Sequence, residues 1–326
     1  MHHRSRKLEV TTLLFATFVA APAGLWAVVT EPVWAATEPV DVEPASAERL
    51  HADVVMLVDE LGPRHHDDPD HLTAVAKRLL ARFAALGLAT EVQPVPSDVP
   101  DSVNVIGRLG PEKGPVVVIG AHYDAYKETP GADDNASGVA GLLELARLLV
   151  AKPPPITVEF VAYANEEPPY FRSDEMGSRV HAASAVERDL VLMISLECIG
   201  FFSDDPHSQH FPFALMRPFY PSRGNFIGVV GRSSQGAVVR EVKRAMRAQD
   251  GVPVEAIAAP TWIPGIDWSD HLAYWDEGFD AVMITDTAPN RNDAYHEAED
   301  TPERLDYTRM ASVIDGVAQV VWSQAD

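Results

Sequence analysis

Apolar residues in this chain recur at helical spacing in some stretches and run almost unbroken in others. Leu50, Val54, Leu57, Val58 and Leu61 share one helical face and stop at Gly62-Pro63. Leu72, Val75, Leu79, Leu80, Phe83 and Leu86 form a second stripe, closed by Gly87. Val139–Leu149 is a third, ended by Pro153-Pro154-Pro155, and further helices are expected near Ser234–Gln249 and Tyr307–Trp322. Between these lie strand-like runs: Ser102–Leu109, Pro115–Ala121, Ile156–Ala164, Leu190–Leu196, Asn225–Val230 and Ala281–Thr285. Several are nearly continuously apolar, as strands covered on both faces are. Phe201–Arg223 mixes aromatics, Pro and His without a period and reads as a long loop. The alternation predicts one α/β domain with a central, mostly parallel mixed sheet flanked by helices.

The N-terminus follows a different pattern. Arg4, Arg6 and Lys7 precede Val10–Thr30, which carries no charge over about 21 residues, enough to cross a bilayer as a helix. Basic residues ahead of such a run keep the N-terminus inside and send the remainder outward. Residues 1–30 therefore read as a signal-anchor helix, or as a signal peptide cut near Val33-Trp34-Ala35. The first outcome leaves the protein on the membrane with an extracytoplasmic domain; the second leaves it secreted or periplasmic. Residues 31–46, with three Glu-Pro pairs, read as a linker, and 47–326 as the folded domain.

Composition narrows the function. The 326 residues are 46% hydrophobic and 23% charged, which excludes wholesale disorder. With 48 Asp+Glu against 26 Lys+Arg the net charge is −22, so no basic face is available to track nucleic acid. A single cysteine excludes an intramolecular disulfide framework.

Chemistry-bearing residues gather where apolar runs end. His122-Tyr-Asp124 follows the run that ends at Ala121, and residues i and i+2 of an extended chain share a face. A carboxylate bonded to a metal-ligating His fixes its tautomer. Gly131-Ala-Asp133-Asp134-Asn135 precedes a helix start. Glu166-Glu167 and Glu197 follow two further strands, and Tyr295-His296 comes late. In a parallel sheet these ends line one edge, where open α/β sheets bind ligands. Two His and several carboxylates suit two Zn²⁺-like ions sharing a bridging carboxylate.

The order His122-x-Asp124, Gly131-Ala-Asp-Asp134-Asn-x-Ser-Gly, Asn165-Glu166-Glu167, Glu197 and Tyr295-His296 resembles the M28 peptidases, the co-catalytic zinc aminopeptidases and their carboxypeptidase relatives. Glu175-Met-Gly-Ser178, Ser269-Asp-His271, Thr285-Asp-Thr287 and Asp300-Thr301 extend the likeness from Leu50 to the C-terminus. The resemblance implies that His122 and Glu197 complete one metal site and Glu167 and His296 the other, with Asp134 bridging two Zn²⁺. It implies that Asp124 orients His122 and that Glu166 is the general base for hydrolysis of a peptide substrate. The implied activity is that of an aminopeptidase. The alternatives are a carboxypeptidase or dipeptidase, a glutaminyl-cyclase-like acyltransferase, and a non-catalytic binding ectodomain. A complete ligand set with the base present favours hydrolysis. Two positions depart from the family pattern: Glu197, where many secreted members have Asp, and Ile266, where some have a Tyr that steadies the oxyanion.

Other polar features have plainer readings. His65-His66-Asp67-Asp68 reads as a loop with an Asp cap for the following helix. His207 and His210 read as solvated loop residues, and Asp270-His271 as structural or supporting groups. Cys198, next to Glu197, is expected to point away from the site by strand alternation. Phe201, Phe202, Phe211, Phe213 and Trp262 fit either a substrate pocket or ordinary packing.

Overall fold

The computed structural model describes residues 26, 30–34 and 36–325. The expected export segment 1–30 lies outside them except for Trp26 and Thr30. Among the described residues no helix is long and apolar enough to cross a membrane.

Among the described residues eight strands form one sheet: β1 (Ala89–Pro94), β2 (Val103–Leu109), β3 (Val116–His122), β4 (Thr157–Tyr163), β5 (Leu190–Glu197), β6 (Ile227–Arg232), β7 (Val254–Ala259) and β8 (Ala281–Thr285). Their order is β1-β2-β4-β3-β5-β8-β6-β7. The centre is parallel, β4 and β5 flanking β3 and β8 following β5. The β1–β2, β2–β4 and β6–β8 pairs are antiparallel. The chain leaves β3 toward β4 on one side, then crosses to β5 on the other. That reversal opens a crevice above their C-terminal ends.

Seven α-helices lying wholly among the described residues cover the sheet: α1 (Ala47–Val55), α2 (Pro69–Ala85), α3 (Gly138–Ala151), α4 (Gly177–Ser184), α5 (Gly236–Met246), α6 (His271–Asp276) and α7 (Tyr307–Ser323). Alternate residues of β3 face opposite layers. Val117 and Ile119 join Leu50, Leu79, Phe83, Leu142 and Ile314 in the larger core. Val116 and Val118 join Val161, Met193, Tyr274 and Trp275 under α4 and α6. Burying an aliphatic side chain of this size is worth roughly 1.5–3 kcal/mol, so the two layers hold the strand ends rigidly in place. One charge interrupts the apolar run of β4. Glu159 is fully buried, accepts two 2.7 Å bonds from Arg188, pairs with Arg108, and lies 3.5 Å from His181 Nε2.

The expected strands and long helices are present with ends shifted by a few residues. Four elements were not expected. β1 is an edge strand with mostly exposed side chains, β7 is a second edge, and α4 and α6 are too short to show a period. Asp68 is the N-cap residue of α2, as expected, and its carboxylate pairs with His71 Nδ1 at 2.7 Å.

Residues 31–34 and 36–46 run as a strap across α5, α7 and α3. Glu31 pairs with Arg240, Lys243 Nζ donates to the Thr30 carbonyl at 3.2 Å, and Arg247 donates to the Val33 carbonyl at 3.0 Å. Further on, Val40 exchanges two bonds with Gln319, and the Ala45 amide donates to Asp315. Glu144 on α3 accepts from the Ser46 amide, Arg49 and Arg147, locking the strap to the start of α1.

Candidate metal centre

Four neighbouring strands deliver the expected site residues to one place. β3 ends on His122 and β5 on Glu197. After β4, Asn165 turns the chain at φ 58 and presents Glu166 and Glu167, and the segment after β8 reaches His296. Asp134 lies between the two imidazoles. Its Oδ1 is 3.4 Å from His122 Nε2 and its Oδ2 is 3.0 Å from His296 Nε2. Glu197 Oε2 lies 3.3 Å from His122 Nε2, and Glu167 Oε2 lies 3.6 Å from His296 Nε2. Glu166 Oε2 is 3.8 Å from His122 Nε2. All seven residues singled out for the site converge here.

The turn that carries Asp134 is held from both ends of the chain. Gly131 takes the left-handed conformation (φ 61), and its carbonyl accepts from Arg64, whose guanidinium also binds the Leu57, Tyr123 and Pro130 carbonyls. The Asp300 carboxylate accepts from the Asp133 and Asp134 amides. The Asp133 carboxylate accepts from Gly200 and Asn292. Asn135 donates to the Leu196 carbonyl and accepts from the Cys198 amide, tying the turn to the end of β5. Asp124 clamps the neighbouring loop, its two oxygens accepting from the Glu166 amide at 3.2 Å and the Glu167 amide at 2.9 Å. His122 Nδ1 lies 3.1 Å from the Asp124 backbone carbonyl and 3.5 Å from its carboxylate, so Asp124 meets the imidazole through main chain as well as side chain. His296 sits between the Tyr126 ring at 4.0 Å and the Tyr295 ring at 3.9 Å.

The electrostatics fit a divalent cation. Burial pushes the Glu166 and Glu167 carboxyls well above the usual carboxylate range, and neighbouring carboxylates add to the shift. Burial also opposes the charge of Asp134, but His122 and His296 hold it below that range. His122 Nε2 and Glu167 Oε1 are buried without a hydrogen-bond partner. Orphaned ligand-type atoms around a shared carboxylate are costly unless a cation completes them. His122, Asp134 and Glu167 offer atoms within 4.8 Å of one another, a nitrogen and oxygen set that suits zinc.

Several side chains take places the sequence reading did not give them. Cys198 turns toward the site, its Sγ 3.2 Å from Glu197 Oε1, because its positive φ of 50 breaks the alternation of β5. Burial, with Asp134 and Glu197 nearby, raises this thiol well above its usual range and keeps it protonated. Ser269 donates to Glu197 Oε2 at 2.7 Å and bonds Ser195, steadying the longer arm of Glu197. His271 bonds the Ile266 carbonyl and packs edge-on against Trp275, a structural role. Ile266, His210, Phe211, Met216 and Trp268 line an apolar pocket that opens beside Glu197 and Tyr295. Across the centre, His296 forms the wall of a polar cleft with Tyr126, His65 and His66. His65, His66 and the exposed Asp67 also lie within 4.8 Å of one another, apart from the main ligands. Arg64 and Tyr126 went unmarked in the sequence, where neither stands in a recognisable motif.

The model of peptidase family M28 matches residues 104–321. Over 298 residues the chain is 46% identical to Uncharacterized protein YfbL of Escherichia coli, covering 89% of this chain and 92% of that one. Among solved structures it is similar to a zinc aminopeptidase from Bacillus subtilis, with a TM-score of 0.67 at 16% identity over 86% of this chain and 95% of that one. It is also similar to a glutaminyl cyclase from Bacteroides thetaiotaomicron, with a TM-score of 0.65 at 18% identity over 86% and 99%. At these identities the two likenesses establish the fold alone. The family match over two thirds of the chain goes further: the protein belongs to peptidase family M28 and is a metallopeptidase.

Proposed function

We propose that the protein is a zinc exopeptidase with two metal sites that removes apolar N-terminal residues from peptides. The observation that carries this reading is Asp134, whose two oxygens face different imidazoles. In this arrangement His122 and Glu197 would hold one ion and His296 and Glu167 the other, with Asp134 available to both. Zinc in such sites lowers the pKa of a water and polarises the peptide carbonyl.

The rest belongs to the chain. Glu166, whose carboxyl is raised above the usual carboxylate range by burial, takes the proton of the attacking water and returns it to the departing amine. Tyr295 supplies a donor to the developing oxyanion in place of the tyrosine that Ile266 replaces. Burial, with Asp134 next in effect, keeps its hydroxyl protonated, and Tyr295 lines the apolar pocket together with Glu197. That pocket receives the side chain of the first residue. The surplus of carboxylates supports binding of an α-ammonium, whereas Arg64 is buried and gives four of its five N–H donors to backbone carbonyls.

We also propose that the domain works outside the cytoplasm, tethered by Val10–Thr30. Retention of the segment is supported by the burial of Thr30, Glu31 and Val33 in the folded domain, because cleavage near Val33-Trp34-Ala35 would strip these contacts away.

The test compares leucyl and phenylalanyl anilides with N-blocked peptides and N-terminal glutaminyl peptides, alongside metal analysis of the wild type and Glu166→Gln. The reading expects two zinc per chain, hydrolysis of the anilides, and loss of at least about 10³-fold in kcat for Glu166→Gln with both metals kept. Cyclisation of glutaminyl peptides without hydrolysis would transfer the protein to the acyltransferases. Preference for blocked peptides with a free C-terminus would make it a carboxypeptidase.

A further inference from the structure

We infer that the domain rests flush on the bilayer that its N-terminal run crosses, with the apolar rim of the substrate pocket set into the lipid interface. This rests on the anchored reading of Val10–Thr30 and extends it from attachment to orientation.

The first argument is the missing spacer. The uncharged run ends at Thr30, and Thr30 and Glu31 are each only 4% exposed, already fixed to α5 through Lys243 and Arg240. A chain leaving the bilayer here has no free length in which the domain could stand off or tumble, so the α5–β7 side of the molecule must face the membrane.

The second argument is what that side displays. Among the described residues eight large apolar side chains are exposed: Trp26, Trp34, Val92, Val186, Phe213, Leu215, Trp262 and Trp268. Six of these are Trp26 and Trp34 at the chain's exit and four residues on the two loops that rim the substrate pocket. Trp34 is 88% exposed, and Leu215 and Trp262 are each 72% exposed. Trp26 and Trp34 lie with rings 6.4 Å apart beside Phe219, and Phe213 meets Trp262 edge-on at 6.2 Å. The exit hollow and the substrate pocket share Glu255 and are lined by the consecutive Phe219 and Tyr220, so the two surfaces are neighbours. Exposed tryptophans grouped around an exit point suit the headgroup region, where an apolar ring with a polar edge is best accommodated.

The third argument is charge. The chain carries −22 overall, yet next to the exit α5 exposes Arg244 and Arg247 is exposed just past its end, while Arg240 pairs with Glu31 and Lys243 with Glu255. A local basic group beside tryptophans matches an anionic lipid surface. Two copies of so acidic a chain repel each other, which disfavours a second molecule as the cover. In this orientation the pocket opens at headgroup level, and its substrates are peptides presented at the membrane surface.

The test uses the full chain in nanodiscs of three parts phosphatidylcholine to one part phosphatidylglycerol. Cys198 is buried, so a fluorophore attaches selectively to cysteines introduced by Leu215→Cys and Trp262→Cys, and by Val92→Cys on the opposite sheet edge. The inference expects blue-shifted emission at 215 and 262, quenched by doxyl lipid and protected from aqueous iodide, with the reverse at 92. Iodide access at 215 and 262 equal to that at 92, with the chain still held on the discs, overturns the orientation while leaving the anchor intact. Protection from iodide without quenching by doxyl lipid also overturns it, in favour of a protein partner. Release of the chain from the discs, with residues up to about 35 removed, overturns the anchored reading and the orientation together.

Discussion

Asp134 can be shared between His122 and His296 only because the turn before it holds a shape that a side chain at position 131 would not permit. A Cβ on Gly131 would lie against the Asp134 carbonyl oxygen and the Arg64 guanidinium, and φ 61 is itself unfavourable for other residues. Gly131→Ala is expected to cost about 2 kcal/mol in urea unfolding, in the range for a strained backbone position. It should also reduce zinc content, although no ligand has been changed. Tyr295→Phe separates two roles. If the hydroxyl serves the oxyanion, kcat falls about 10²-fold with KM and zinc content nearly unchanged; a rise in KM alone would make Tyr295 a wall of the pocket. At this scale His122 and Glu197, which end strands, and Glu166 and Glu167, just beyond one, were legible from position, while Asp134 and His296 stood out through the family resemblance. Arg64, in Gly62-Pro-Arg-His65, looks like any loop arginine, and its carbonyl partners lie as far as 67 residues away. Cys198 was misplaced because alternation fails where a backbone turns left-handed, and nothing in Glu-Cys-Ile announces that turn.

Elements were readable in proportion to their burial and length. β3 and β4 are covered on both faces and emerged from the sequence as unbroken apolar runs. β1 is mostly solvated, and α4 and α6 span barely two turns. The strap went unrecognised because polar contacts, with little apolar periodicity, hold it in place. Glu144 is its main fastening. Burial alone would raise this carboxyl, but Arg147, Arg49 and the Ser46 amide bring it down to about 2. A depressed folded pKa gives stability that is fully present above the ordinary value of 4.5 and is lost as pH falls through about 2. Glu144→Gln should therefore lower stability by about 2 kcal/mol at pH 7, in the range for charged hydrogen bonds. The gap between mutant and wild type should narrow steadily below pH 4.5 in urea titrations. A gap independent of pH would show that packing, not charge, fastens the strap.

Across the whole molecule, the proposed centre draws on β3, β4, β5 and the segment beyond β8, so metal binding there would be linked to folding. Ions that bind only the folded chain stabilise it by about 2.7 kcal/mol at a hundredfold excess over Kd. A chelator should lower the thermal midpoint accordingly, and added zinc should restore it; an unchanged midpoint would separate the centre from stability. The Asp300 clamp has a consequence in time as well as in space. Every proposed ligand lies between positions 122 and 296, yet the carboxylate that holds the Asp133–Asp134 turn comes at position 300, with α7 after it. During synthesis the ligands therefore leave the ribosome before the group that arranges them. A chain released at residue 298 in a cell-free system should neither retain zinc nor cleave an anilide that the finished chain hydrolyses. On this prediction the growing polypeptide would stay inert toward its neighbours until Asp300 has left the ribosome, a timing set by the order of the sequence.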